Sequence, residues 1–508
     1  MRDVRSAAWR GMWLVGLILV LVVAAGGLGE GAPPMAPKRG GVLRVADAIP
    51  NTPFLPWEMS TVSMPSVMPA LEPLVWVDRL GRVHPGLAER WEISQDLSAI
   101  TLFLRQGVRF HDGTAFNAEA VQWNLERQIQ AKRLPWVRAV RAVDQHRVRL
   151  ELAEWDNRIL SALSGPEGLV VSPASVERGG VEGARWNPVG TGPFRLVRFE
   201  RGVGMRYRRF EGYWQRGKPY LDEIEYVFIQ DLQTMRAGFL AGRLDVINVG
   251  PIPDIGYSLV QMGYPSITGR VAPNLLIPDS ANATSPFADR RVRVATWLAL
   301  DREAIARALG YGRYRAEYQL AAFPSREYDP SVQGPKHNPD QARRLLEEAG
   351  YPQGFRTELI YPTGRMPDVM SAIQHQLGQV GILVELRPLS PGGYVERIQR
   401  GWNGLLAYAL VYQADLIDTL GTHFFGPFAF ASWKRPAGLE QAYHEARKTR
   451  TPEVVKMRRI NRLLLREADL IPVVHSGAMY VLQRYVRDTF HLQWKGLLWR
   501  PADAWLDR

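Results

Sequence analysis

Nine histidines and 51 acidic residues must carry any acid–base or metal chemistry in this chain, because it contains no cysteine. Without a thiol there is no disulfide, no thiolate metal site and no cysteine nucleophile. The histidines are scattered. His444-Glu445 lacks the second histidine, four residues after the first, that a helical zinc-protease motif requires. Gly190-Thr191-Gly192 opens like a dinucleotide-binding loop, but Arg195 occupies the position of the necessary third glycine. There is no Gly-x-Ser-x-Gly elbow and no phosphate loop ending in Gly-Lys-Ser/Thr. His111-Asp112 precedes Gly113 at the end of a strand-like stretch, which reads as a turn. The acid pairs Asp222-Glu223 and Glu347-Glu348 fit solvated faces. No catalytic, metal or cofactor site is therefore expected from motifs. Two carboxylates brought together from distant positions remain an open route to hydrolysis.

The elements that would position a site alternate along the chain. Gly41 to Ala46 reads as a first strand, and Ile100, Leu102 and Leu104 alternate with Thr101, Phe103 and Arg105 as a half-buried one. Asn117 is placed to cap a helix with Ala118, Val121, Leu125 and Ile129 on one face. Val148, Leu150 and Leu152 alternate again. Strands are predicted at Phe194 to Glu200, Met205 to Phe210, Ile224 to Ile229 and Leu244 to Val249. A short helix from Leu232 to Leu240 is stopped by Gly242. Further on, Val292 to Leu300 is helical, Asp301 caps a helix ended by Gly310, and Asn338-Pro339 opens a helix closed by Gly350. Met370, Ile373, Leu377 and Val380 line the next helix, and Ile382, Val384 and Leu386 alternate as a strand. Val454 to Ala468 is amphipathic and leads into a strand from Leu470 to His475. Helix and strand in alternation predict α/β layers.

The N-terminus reads as a targeting element. Arg2, Arg5 and Arg10 precede an uncharged apolar stretch from Met12 to Leu28, with small residues at Ala24 to Gly27. That order is that of a secretory signal peptide, cleaved near Ala25. An uncleaved membrane anchor is the competing reading, since the stretch is close to the shortest span. Residues 26–40 are rich in Gly and Pro and read as a flexible leader. The formal charge of +12 is dispersed among acids, as in Ala88-Glu89-Arg90, so no nucleic-acid partner is expected.

Several long motifs carry a family resemblance. The chain reads Leu87-Ala88-Glu89-Arg90-Trp91-Glu92, then Phe103-Leu104-Arg105-Gln106-Gly107-Val108-Arg109-Phe110-His111-Asp112-Gly113-Thr114, then Asn117-Ala118-Glu119-Ala120-Val121. Pro188 to Phe194, Phe210 to Trp214, Pro219 to Ile224, Phe287 to Arg293 and Leu300 to Glu303 follow in order. From about residue 40 onward the chain closely resembles the family 5 extracellular solute-binding proteins, which include oligopeptide, dipeptide and nickel receptors. The resemblance implies an α/β fold like that of type II periplasmic binding proteins, with two large lobes, a hinge and a smaller inserted domain. Lobe I would comprise 40–77, 185–267 and 478–508, the insert 78–184, and the opposing lobe 268–477. It further implies a monomeric, exported receptor that takes a small solute and hands it to the permease subunits of an ABC importer. The receptor would be periplasmic, or held at the outer face of the membrane by its N-terminal helix.

The resemblance also nominates pocket residues. In peptide-binding members, a segment aligned near residue 408 carries an aromatic and then an Asp that pairs with the peptide's amino group. Here Tyr408 takes the aromatic position and Val411 that of the Asp, with Tyr412 and Asp415 beyond. An apolar Val does not compensate a buried ammonium, which left unpaired costs several kcal/mol. A peptide held by its amino terminus is thus not expected. The expected solute-binding residues are Tyr408, Tyr412 and Asp415, with Trp57, Asp279, Asn282 and Trp402. Aromatics would stack on the solute and acids orient a polar end. Each aromatic is equally suited to ordinary core packing. The rival classes are an exported hydrolase using two cleft carboxylates about 5–10 Å apart and a membrane-anchored sensor.

Overall fold

The computed structural model describes residues 36–508 except 51, 62, 251–252, 269–272, 365, 427–429 and 490–498. The expected signal segment, 1–25, and the leader up to residue 35 lie outside the described residues.

Three sheets organise the chain. The seven-stranded sheet runs, edge to edge, Ser266–Thr268, Met479–Leu482, Val246–Gly250, Val42–Asp47, Glu223–Phe228, Gly204–Arg209 and Phe194–Glu200. At its centre Val42–Asp47 lies parallel to both neighbours, with Val45 paired to Tyr226 on one side and Val246 on the other. The six-stranded sheet runs Arg315–Ala316, Ile471–His475, Pro273–Pro278, Leu405–Ala409, Phe355–Pro362 and Ile382–Leu389. A four-stranded antiparallel sheet, Ala88–Ile93, Ala99–Leu104, Arg147–Leu152 and Val137–Asp144, is inserted between the first strand and the rest of the seven-stranded sheet.

Local chemistry explains these elements. Asn117 Oδ1 accepts the Ala120 amide at 2.9 Å and starts the helix Ala118–Gln130, whose Val121 and Leu125 cover the inner face of the four-stranded sheet. Asp231 and Asp301 do the same for Leu232–Leu240 and Arg302–Leu309. Asp112 Oδ1 accepts the Thr114 amide, and Gly113 takes φ +84°, so His111-Asp112 is the turn expected. The strands expected from Met205, Ile224 and Leu244 begin one residue earlier, one earlier and two later respectively.

The six-stranded sheet is covered on both faces. In Pro273–Pro278, Leu275 and Ile277 enter one core, while Leu276 enters the other. Leu406 likewise parts from Leu405 and Ala407. Alternate residues of a strand point to opposite faces. A strand buried on both sides must therefore be apolar without interruption, as Leu275-Leu276-Ile277 and Leu405-Leu406-Ala407 are. The chain crosses from the seven-stranded to the six-stranded sheet between Thr268 and Pro273, and returns between His475 and Met479.

Candidate functional site

Strand Phe355–Pro362 is parallel to Leu405–Ala409, whereas Pro273–Pro278 is antiparallel to it. The carboxyl ends of the parallel pair thus meet the amino end of Pro273–Pro278. The crevice beyond the carboxyl ends of parallel strands is where open α/β sheets hold ligands. A small recess occurs there, lined by Asn274, Tyr361, Met366, Met370, Tyr408 and Ala409 among others. No charged side chain of the described residues lines it. Asn274 donates to the Val474 carbonyl (3.1 Å) and to Ser476 Oγ (2.8 Å), which fastens the cavity to the crossing between the two large sheets.

Tyr408 is oriented by a relay. Its hydroxyl is 2.7 Å from His423 Nδ1, and His423 Nε2 is 3.0 Å from the Val411 carbonyl. A carbonyl only accepts, so Nε2 carries the proton and Nδ1 accepts from the tyrosine. Burial pushes the His423 pKa down, which keeps the ring neutral in that tautomer. The Tyr408 ring also meets Phe430 edge-on at 4.9 Å.

The other expected residues take different roles. Asp415 is 4% exposed and caps the helix Leu416–His423, its Oδ1 accepting the Asp418 amide at 2.9 Å. Glu327 accepts from the Tyr412 hydroxyl and from the Leu416 amide. Asp418 accepts from Ser161 Oγ at 2.6 Å. Burial, then the charges of Glu327 and Asp418, push Asp415 up to about 7. Asp415 and Tyr412, expected to face a solute, are both turned inward in this structure, Tyr412 to 1% exposure. Trp402 is likewise core, its Nε1 donating to the Ile277 carbonyl at 3.2 Å. Asp279 is buried and accepts from Ser285 Oγ at 2.6 Å, while Asn282 accepts the Thr284 amide in the same turn. Trp57 packs edge-on to Trp123 at 5.8 Å, in the layer of the seven-stranded sheet. Of the seven expected residues, Tyr408 alone lines the cavity.

Sequence reasoning missed Asn274, Tyr361 and Met366 as lining. Met370 was read only as the buried face of a helix, and the same face closes the cavity. The signal for Asp415 was present: an Asp, three residues before Asp418 and directly before Leu416-Ile417, is a helix start.

A polar seam joins the four-stranded insert to the six-stranded layer. Asp156, fully buried, receives Arg158 at 2.7 Å and Arg447 at 3.0 Å. The Asn157 amide donates to the Arg447 carbonyl, and its side chain to the Ala446 carbonyl, each at 2.8 Å. Trp155 Nε1 donates to the Thr449 carbonyl at 2.8 Å.

Two large layers joined by two crossings, with an inserted third, define the type II periplasmic binding protein fold. The ABC transporter-associated periplasmic binding protein DppA from Helicobacter pylori, solved with the peptide STSA, superposes with a TM-score of 0.80 over 93% of this chain and 99% of its own, at 19% identity. NikA from Brucella suis, solved with Fe(III)-EDTA, superposes with a TM-score of 0.78 over 88% of this chain and 96% of its own, at 24% identity. Residues 82–419 match the family model "Bacterial extracellular solute-binding proteins, family 5 Middle", and the chain belongs to that family. Among curated relatives, the glutathione-binding protein GsiB of Escherichia coli (strain K12) is 32% identical over 336 residues. The match spans 63% of this chain and 64% of that relative, a little under two thirds of its length.

Proposed function

We propose that this protein is the extracytoplasmic solute-binding component of an ABC importer. It captures a small organic solute between the seven-stranded and six-stranded layers and presents it to permease subunits in the membrane. The observation that carries this reading is the uncharged recess in the six-stranded layer, at the carboxyl ends of its parallel strands and beside the return crossing to the seven-stranded layer. Met366, Met370 and Tyr361 suit the apolar body of the solute, and Tyr408, held by His423, gives one wall a fixed aromatic face. Lobe I (40–77, 185–267 and 478–508) and the opposing lobe (268–477) close about the two crossings, with the insert (78–184) as a third region. Closure is driven by the higher affinity of the closed form for the solute.

Binding rather than hydrolysis is supported by the acids near Tyr408. Asp415, Glu327 and Asp418 are all turned inward and engaged by amides and hydroxyls. None lines the cavity. The relatives named above are binding proteins for glutathione and peptides, among other solutes. The segment 1–25 serves as a signal peptide, and the receptor works outside the cytoplasmic membrane. Among the described residues no helix is long and apolar enough to cross a membrane.

Native mass spectrometry of gently purified protein is expected to show a co-purified small solute in one-to-one ratio, and small-angle scattering to show a smaller radius of gyration with it than without. Turnover of that solute would establish the hydrolase instead. N-terminal sequencing of the exported product is expected to begin within a few residues of Gly26, whereas an intact Met1 on membrane-bound protein would identify an anchor.

A further inference from the structure

A second cavity, of about 120 Å³, lies between the seven-stranded layer and the insert, away from the residues that line the first. Its base is Glu72, which accepts from Thr191 Oγ1 (2.9 Å), Tyr213 (2.8 Å) and Trp214 Nε1 (3.0 Å). Three donors saturate this carboxylate, and burial raises its pKa. The other acid of the lining, Asp503, is paired with Lys218. Two guanidinium groups complete the wall. Arg105 lies 4.7 Å over the Trp214 ring and is fixed by donation from Nε to the Gly86 carbonyl at 2.7 Å. Arg500 lies 5.0 Å over the Trp76 ring. Among the described residues Arg105 makes no ion pair; the Arg500 pKa is lowered by burial first, is held up by Asp503, Tyr213 and Glu72, and is lowered least by Arg105. Arg105 is thus the lining cation without an ion pair among the described residues, with the Arg500 guanidinium in the same wall. Stacking on a ring holds each planar fork in one orientation, the arrangement that takes a carboxylate through paired N–H donors. Met68, Trp76 and Trp214 give the same space an apolar wall.

We propose that this cavity is a second ligand site, for a small organic carboxylate, held by Arg105 and Arg500 with its apolar part against the tryptophans. Its lining comes from the insert (Arg105), the start of the chain (Glu72, Trp76) and the C-terminal segment (Arg500), so an occupant would tie these three together. The inference is independent of the solute proposed for the first cavity.

The test is calorimetric titration of the full-length mature protein with benzoate, with its neutral analogue benzamide, and with inorganic phosphate. Benzoate is expected to bind with a Kd of about 1 mM or tighter, and benzamide at least 10-fold more weakly. Arg105→Gln is expected to weaken benzoate at least 10-fold, and Arg105→Lys, which keeps the charge but loses the fork, to restore only part of it. Circular dichroism melting that matches the unmodified protein separates these losses from misfolding. Equal binding of benzoate and benzamide, or unchanged benzoate binding by Arg105→Gln, would overturn the proposal. So would phosphate binding as tightly as benzoate, because the tryptophan wall would then contribute nothing.

Discussion

The cavity at the carboxyl ends of the parallel strands and the seam around Asp156 lie on the same six-stranded layer and are built by opposite rules. The cavity is lined by side chains without charge, and its polar groups, Asn274 and the Tyr408–His423 relay, are anchored to neighbouring backbone or side chains. The seam is a run of buried charges and amides in which Asp156, Asn157 and Trp155 are met by Arg447, Ala446 and Thr449 of the facing layer, and Arg158 by Asp156. An uncharged, pre-shaped recess leaves room for a solute to add contacts that the protein does not make for itself. A saturated polar seam leaves none, and holds the insert against the six-stranded layer in one register. The difference separates what a receptor must keep fixed from what it must leave open.

The comparison breaks most visibly at Asp156. Asp156→Ala leaves Arg158 and Arg447 facing each other without the buried carboxylate between them. Removing one partner of a buried ion pair costs about 3–5 kcal/mol. Urea unfolding is expected to show a loss of that order. Solute affinity per folded molecule should change far less, and a loss of affinity larger than the loss of stability would mean that the seam is part of the binding surface.

Asp415 gives a smaller, pH-dependent effect. Burial, Glu327 and Asp418 raise it to about 7, against the lesser opposing influence of Arg326, with Arg158 near Asp418. A carboxyl whose folded pKa exceeds its unfolded value holds its proton better when folded. Its contribution to stability is full below about 4 and is lost as pH rises through about 7. Asp415→Asn keeps the Oδ1 that caps Leu416–His423 but cannot ionise. Between pH 4.5 and 7.5 the unmodified protein is expected to lose about 1–3 kcal/mol relative to this variant. Parallel pH profiles in urea would count against the assignment.

Tyr408→Phe removes one hydrogen bond and leaves His423 Nδ1 without its donor. A loss of about 1 kcal/mol in stability is expected, with a several-fold loss in solute affinity read by calorimetry. Unchanged affinity would place the solute away from the relay.

The two regions were unequally legible in the sequence. Helix starts at Asn117 and Asp301 were readable because a cap acts over three residues, and the strands at Ile100 and Val148 because alternation is local. The family motifs fixed the architecture. The cavity was not readable, because it exists only where Phe355–Pro362, Leu405–Ala409 and Pro273–Pro278 are brought side by side, and no local pattern announces that pairing. Chemical type alone does not separate the roles of Tyr412, Trp402 and Asp415: aromatic and acidic side chains suit a ligand, and here Tyr412 and Trp402 are buried and Asp415 caps a helix. The seam went unread for the same reason as the cavity, since Asp156 and Arg447 meet only in three dimensions.

The smallest effect on folding, and the sharpest question about the ligand, belongs to Val411. It is 38% exposed and precedes the inward-turned Tyr412, while its carbonyl accepts from His423. Its side chain is therefore not a core element, and Val411→Asp is expected to change stability by no more than about 0.5 kcal/mol. What changes is the charge offered to a solute near Tyr408. Asp415 and Asp418 are occupied in the interior, so they do not supply the carboxylate that the family resemblance would lead one to expect at Val411. A free ammonium at this point would lack a partner, whereas a neutral solute loses nothing. Calorimetric titration is expected to show weak or no binding of di- to pentapeptides to the unmodified protein, and at least 10-fold tighter binding to Val411→Asp, equivalent to about 1.4 kcal/mol. If the unmodified protein binds peptides or glutathione at micromolar affinity, about −8 kcal/mol, then their ammonium is held elsewhere and the Val411 alignment is refuted. Asp415→Asn would then distinguish the remaining local anchor, since peptide affinity would fall only if that buried acid turns outward to receive the charge.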